Sequence, residues 1–223
     1  MKINMSMKEL RDVMERECFP VRLPTLSKWE YTTSFDEYFE KLSPREKIDF
    51  SFSYSVRVLE DRWLDGEEFI LQDLHYIFTY ALYVIKGRWA EGEKVLSESG
   101  QYCYQYANKV IKGRWPEAEP SIINLPWDAL RYARDIIGGR WVEAEQSILR
   151  DRWASYRYAE TILKGRWPKA EPMFLNKAII ACNYAKHVLK GRWIVAEERI
   201  SKSEYWDRYC EDFNVPVEER VKA

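Results

Sequence analysis

The sequence predicts an all-α fold: an α-solenoid of six 26-residue helix-turn-helix repeats with a helical N-terminal cap. Three observations predict it. The stretch KGRWPEAEP at 112–120 returns as KGRWPKAEP at 164–172, and GGRWVEAEQ at 138–146 stands midway. An Arg-Trp pair recurs every 26 residues, placing tryptophan at Trp63, Trp89, Trp115, Trp141, Trp167 and Trp193. Nine residues before each of these stands a tyrosine: Tyr54, Tyr80, Tyr106, Tyr132, Tyr158 and Tyr184. Each copy of such an array is one supersecondary unit that buries its apolar face only by stacking on its neighbours.

The elements follow in chain order. Residues 1–48 lack the repeat and read as an N-terminal cap or arm. Ser6 and Glu9 form a capping-box pattern opening a helix to about Cys18; Pro20 and Pro24 break it, leaving 20–31 extended. Thr33 or Ser34 opens a second helix through about Lys41. Ser43, Pro44 and Glu46 then supply a cap, a first-turn proline and a capping box for the helix that enters the first copy.

Residues 49–203 carry the copies. Apolar or small residues fall twelve or thirteen, nine, eight, five and four before the Trp, which is one face of a helix of about three turns. Gly87, Gly113, Gly139, Gly165 and Gly191 lie two before it, where a helix needs a left-handed residue to end, and Asp61 takes that place in the first copy. A shorter helix is expected at once after the Trp, with Pro116 and Pro168 at its first position. Capping residues for the following helix are expected at Asp73, Ser99, Asn124, Asp151, Asn176 and Ser203. Residues 204–223 read as a capping helix and tail, with Cys210 at the tyrosine position of a partial seventh copy.

In this scheme Lys and Arg close the first helix and Glu opens the second, each placement contributing roughly 0.3–1 kcal/mol through the helix dipole. The Trp plugs the seam between helices and between copies. Truncating one that is fully buried costs on the order of 3–5 kcal/mol.

Composition narrows the function. There are 35 basic and 36 acidic residues, which supports neither a polyanion mimic nor a dedicated nucleic-acid surface. The four cysteines have neither metal-ligand nor disulfide-framework spacing, and no apolar run reaches transmembrane length; a reducing cytoplasm is expected, with no membrane association. There is no phosphate loop, HExxH, GxSxG or metal-ligand cluster, and His75 and His187 are far apart. An enzyme is not expected, and no catalytic, metal or cofactor site is assigned.

Two rows invite a binding role. The arginines before each Trp (Arg62, Arg88, Arg114, Arg140, Arg166, Arg192) could form an anion ladder, or each could pair with the glutamate four after the Trp (Glu67, Glu93, Glu119, Glu145, Glu171, Glu197). The tyrosines could stack bases, or sit in the core with a hydrogen-bonded hydroxyl at the rim. The paired, buried reading is preferred for both. Positions shared by all copies serve the unit, whereas positions that vary can serve one partner. Those lie ten, seven and six before the Trp, with a large residue usually eleven before. They nominate Val56, Phe78, Leu82, Tyr83, Tyr104, Lys109, Arg131, Arg134, Arg157 and Lys186 as partner-binding, apolar toward the N-terminal half and charged toward the C-terminus.

The unit YQYANKVIKGRWPEAE (104–119), matched by YRYAETILKGRWPKAE (156–171), resembles a tandem repeat of bacteriophage-encoded proteins. The resemblance covers about 50–203 and departs at EDRWLDGEE (60–68). It implies an accessory viral protein acting in the host cytoplasm, blocking or sequestering a host factor such as a defence protein, and it transfers no functional residue. The expected function is thus a non-enzymatic scaffold that binds a host protein. The alternatives are a nucleic-acid or nucleotide binder using the Arg and Tyr rows, and a self-assembling structural protein; homo-oligomerisation stays open.

Overall fold

The computed structural model describes residues 35–220, and among them the chain is helical throughout, with repeated helix pairs and no β-strand. The helix expected from Ser6, the breaks at Pro20 and Pro24, and the start at Thr33 or Ser34 lie outside the described residues. Among the described residues no helix is long and apolar enough to cross a membrane.

Two compact units divide the chain between Lys112 and Gly113. The first holds α1 (Phe35–Lys41), α2 (Pro44–Tyr54), α3 (Leu64–Ile70), α4 (Leu74–Tyr80), α5 (Ala90–Ser99) and α6 (Cys103–Tyr106). The second holds α7 (Glu119–Ile122), α8 (Pro126–Tyr132), α9 (Glu145–Ile148), α10 (Arg152–Tyr158) and α11 (Glu171–Leu175). It continues with α12 (Ala178–Tyr184), α13 (Ile194–Ser201), α14 (Trp206–Phe213) and α15 (Val217–Arg220). The first helices of successive copies pack side by side: α2 with α4 in one unit, α8 with α10 and α10 with α12 in the other.

α2 starts as its sequence dictates. The Ser43 hydroxyl accepts the Glu46 N–H, the Glu46 carboxylate accepts the Ser43 N–H at 2.9 Å, and Pro44 occupies the first turn. Asp73 and Asp151 cap α4 and α10 as expected, Asp73 accepting from His75 and Tyr76 and Asp151 from Ala154. The other four expected caps do not open the next helix. Asn124 and Asn176 turn their amides back onto the Pro120 and Pro172 carbonyls at 3.1 and 3.3 Å. Those donors close the preceding helix, and Leu125 and Lys177 stand at the starts of α8 and α12. Ser99 ends α5, and α14 begins three residues beyond Ser203.

Every first helix finishes in a π-helical turn, as at Ala81–Ile85, Ala107–Ile111, Ala133–Ile137 and Ala159–Leu163. The Lys86 N–H reaches back five residues to the Ala81 carbonyl, and the Gly87 N–H joins it at 3.2 Å. This corrects the expected helix end. The left-handed residue is not the glycine but the residue before it: Lys86 (φ 56°), Lys112 (58°), Lys164 (49°), Lys190 (55°), Glu60 (51°) and Gly138 (73°). The reversal comes one place early so that the glycine N–H can turn back onto the alanine carbonyl. The widened turn also rotates the apolar pair behind it, so Val110, Ile111, Ile136 and Ile137 are only half-buried.

Each Trp then runs extended, as Trp89 does at φ −126° and ψ 99°, and stands at the start of the second helix. α3, α5 and α13 follow directly. After Trp115 and Trp167 the proline lies instead in a tight turn, closed by the Ala118 and Ala170 N–H groups on the Trp carbonyls at 3.0 and 2.9 Å, and α7 and α11 begin three residues later.

The indoles lie inside. Trp89, Trp115, Trp141, Trp167 and Trp193 are buried, and Trp63 is half-buried against Phe39, Phe50 and Tyr54. The small residue three after each Trp lets the helix approach the ring: a Cβ on Gly66 or Gly92 would collide with the indole of Trp63 or Trp89. At the C-terminal end Tyr209, not Cys210, takes the tyrosine role. The linker before α14 is one residue shorter than elsewhere, which moves the register and leaves Cys210 buried at the alanine position.

Candidate protein-interaction face

The invariant rows are engaged within the chain. Arg114 reaches Glu119 through Nε and Nη2 at 2.9 and 2.8 Å. The same two-pronged contact joins Arg62 to Glu67, Arg88 to Glu93, Arg140 to Glu145, Arg166 to Glu171 and Arg192 to Glu197. Five residues separate the partners, so the pair spans the turn and fixes where the second helix starts.

The tyrosines tie that pair to the next copy. The Tyr132 hydroxyl accepts the Trp115 N–H at 2.7 Å and donates to Glu119 at 2.9 Å. Tyr80 joins Trp63 and Glu67, Tyr106 joins Trp89 and Glu93, Tyr184 joins Trp167 and Glu171, and Tyr209 joins Trp193 and Glu197 in the same way. Tyr158 accepts from Trp141. A main-chain donor that a helix start leaves unfilled is thus satisfied by the following copy. Burial pushes the Tyr80, Tyr132 and Tyr184 hydroxyls up to about 12, and the neighbouring glutamates reinforce the shift. The guanidinium contacts hold Glu119, Glu171 and Glu197 below the usual carboxylate value, with the tyrosine hydroxyls adding to that effect.

The candidate partner-binding residues lie on the variable side of the first helices. In the first unit Tyr83 is 61% exposed. Val56 and Leu82 are half-buried. Phe78 stacks on Tyr102 at 5.8 Å between ring centres. The Tyr104 hydroxyl accepts from Asn108 at 3.4 Å, and Lys109 is exposed. The predicted apolar half is therefore partly covered, Phe78 by Tyr102 of the next copy, with Tyr83 its projecting member. In the second unit Arg131 pairs with Asp128 (3.3 Å), Arg134 with Asp135 (2.7 Å), Arg157 with Glu160 (2.7 Å) and Lys186 with Asp212 (2.6 Å). Leu130 and Tyr156, large residues eleven before their Trp, are buried there rather than displayed, because the side-by-side packing of α8 and α10 covers that position.

Sequence reasoning passed over Trp127 and Trp153. They are 41% and 39% exposed, sit fourteen before Trp141 and Trp167 near the starts of α8 and α10, and precede Arg131 and Arg157 by one helical turn. The signal was present: two tryptophans outside the repeated row, themselves 26 residues apart. No family model matches the chain, and no curated protein or solved structure matches it either.

Proposed function

We propose that the chain is a non-enzymatic scaffold whose first-helix face binds a partner protein. The observation that carries this reading is the internal consumption of the invariant rows. Each repeated Arg spends two donors on its own Glu, and the hydroxyls of Tyr80, Tyr106, Tyr132, Tyr158 and Tyr184 are held in the seams between copies. An anion ladder or a base-stacking platform built from those rows would first have to break a contact that folds the unit. The first-helix face, by contrast, changes from copy to copy and exposes Tyr83, Trp127, Trp153, Lys109, Arg131 and Arg157. Tyrosine, tryptophan and arginine are the residue types enriched at the energetic centres of protein interfaces.

The resemblance to phage repeat proteins makes a bacterial host protein, including a defence factor, the first class to screen. The test is affinity purification from host extract at raised salt, comparing the natural chain with Leu82→Glu/Tyr83→Glu and Trp127→Ala/Trp153→Ala. A protein retained at stoichiometric level and lost with either variant supports the scaffold. Capture of nucleic acid that falls steeply with salt, or a concentration-dependent rise in mass with no partner, would replace it with the nucleic-acid or self-assembling alternative.

A further inference from the structure

Trp127 and Trp153 occupy equivalent places on two helices, α8 and α10, that pack side by side within one unit. Neither ring is needed to fill the core. The equivalent residues of other copies are Asp49, His75, Gln101 and Ile179, so the fold does not require an indole there. Each indole leaves about two-fifths of its surface open, and Trp153 seats its covered part edge-on against the buried Tyr156 at 6.1 Å between ring centres, so the pair is held in place with an open side, as an anchor requires. Ile179 continues the row on α12, where it lines an open cleft of about 310 Å³ with Lys177 and Tyr205.

Charge sets the partner's chemistry. Arg131 and Arg157 already hold Asp128 and Glu160. Three other cations around the same helix starts have no carboxylate partner among the described residues: Arg150, Arg152 and Lys177. The buried Nε of Arg152, the residue before Trp153, has no hydrogen-bond partner. Arg152 thus uses neither its charge nor this donor within the fold.

Spacing sets the partner's conformation. Adjacent helices lie about 8–10 Å apart, and an extended chain in the polyproline II conformation advances about 3.1 Å per residue with three residues per turn. Side chains three residues apart on such a segment therefore share a face and fall on successive copies.

We infer that the edge carrying Trp127 and Trp153 is a docking strip for an extended acidic segment of the partner protein. Its apolar or aromatic anchors, three residues apart, rest on the two indoles, and its carboxylates face Arg150, Arg152 and Lys177. This rests on the protein-binding reading and adds where the partner sits and what it presents.

The test selects a displayed library of random dodecapeptides on the immobilised full chain, with counter-selection on Trp127→Ala/Trp153→Ala. The expected consensus has two apolar or aromatic residues separated by two positions, with Asp or Glu beside them. A synthetic consensus peptide should bind the natural chain at least tenfold more tightly than either the double Trp variant or Arg152→Gln/Lys177→Gln. The second variant keeps both indoles and guards against a folding artefact in the first. No enrichment, anchors seven apart as on a helix, a basic consensus, or equal affinity for all three chains would overturn the strip. So would oligothymidylate binding that is lost with the same variants. A host protein retained equally by the natural chain and the double Trp variant would refute the strip while leaving the scaffold reading intact.

Discussion

At the scale of the residue, the hydroxyl of each repeated tyrosine matters more than its ring size suggests. Tyr132→Phe preserves the ring and strips both of its hydrogen bonds, leaving the buried Trp115 N–H unpaired. Urea unfolding should show a loss of about 1–3 kcal/mol, against less than about 0.5 kcal/mol for Tyr83→Phe on the surface. The corrected helix end makes a second contrast. A Cβ on Gly113 meets nothing within 4 Å and its φ is not left-handed, so Gly113→Ala should change stability by less than about 0.5 kcal/mol. Lys164→Gly removes a left-handed lysine and should be neutral or stabilising, by up to about 1 kcal/mol. Had the glycines made the turn, those two results would be reversed. Sequence alone could not rank the two neighbours, because a glycine after a helix usually is the left-handed residue. Four copies place a lysine there, and the glycine N–H that follows turns back onto the helix carbonyl at Gly87, Gly165 and Gly191.

At the scale of the element, the helix pair was legible from its period. Tyr-Ala, the Arg-Trp turn and the Ser43 capping box each carry a local physical reason that survives in three dimensions. The π-helical endings were not legible, since the residues keep an α-helical apolar pattern in the sequence and the widening shows only in how the last apolar pair is turned from the core. Nor was the shortened linker before α14, where Tyr209 and Cys210 both offered plausible candidates for one slot. The candidate interaction face was legible only in part. Varying positions could be named from sequence, but not that Phe78 would be covered by Tyr102, nor that Trp127 and Trp153 would stand out. The same elements respond to pH. Tyrosines whose hydroxyls are raised from 10.0 to about 12 stabilise the fold fully below pH 10, and that contribution disappears as pH rises through about 12. Glu119, Glu171 and Glu197, lowered from 4.5, stabilise above that value and lose their contribution as pH falls below it. Urea midpoints taken across pH should form a plateau with falls at both ends, and Tyr132→Phe/Tyr184→Phe should soften the alkaline one.

At the scale of the whole molecule, stability in a stacked array is a sum of copy terms and contacts between neighbours. Trp141→Ala should therefore cost on the order of 3–5 kcal/mol, with hydrogen exchange accelerating most around 133–158 and less with distance along the chain. Trp153→Ala, removing a 39% exposed ring, should leave exchange near the natural pattern. Equal effects of the two would contradict the division between buried indoles that hold copies together and half-exposed indoles at the surface.

The tyrosine bond also gives the array a direction. Each Trp N–H waits for a hydroxyl that arrives only with the next 26 residues, so every copy is completed from its C-terminal side. Copies could be added or removed as whole modules at an interior joint, because donor and acceptor travel in a fixed phase. A chain cut after any copy would end with an open socket. At Trp193 that socket is filled by Tyr209 of α14, a helix outside the repeat.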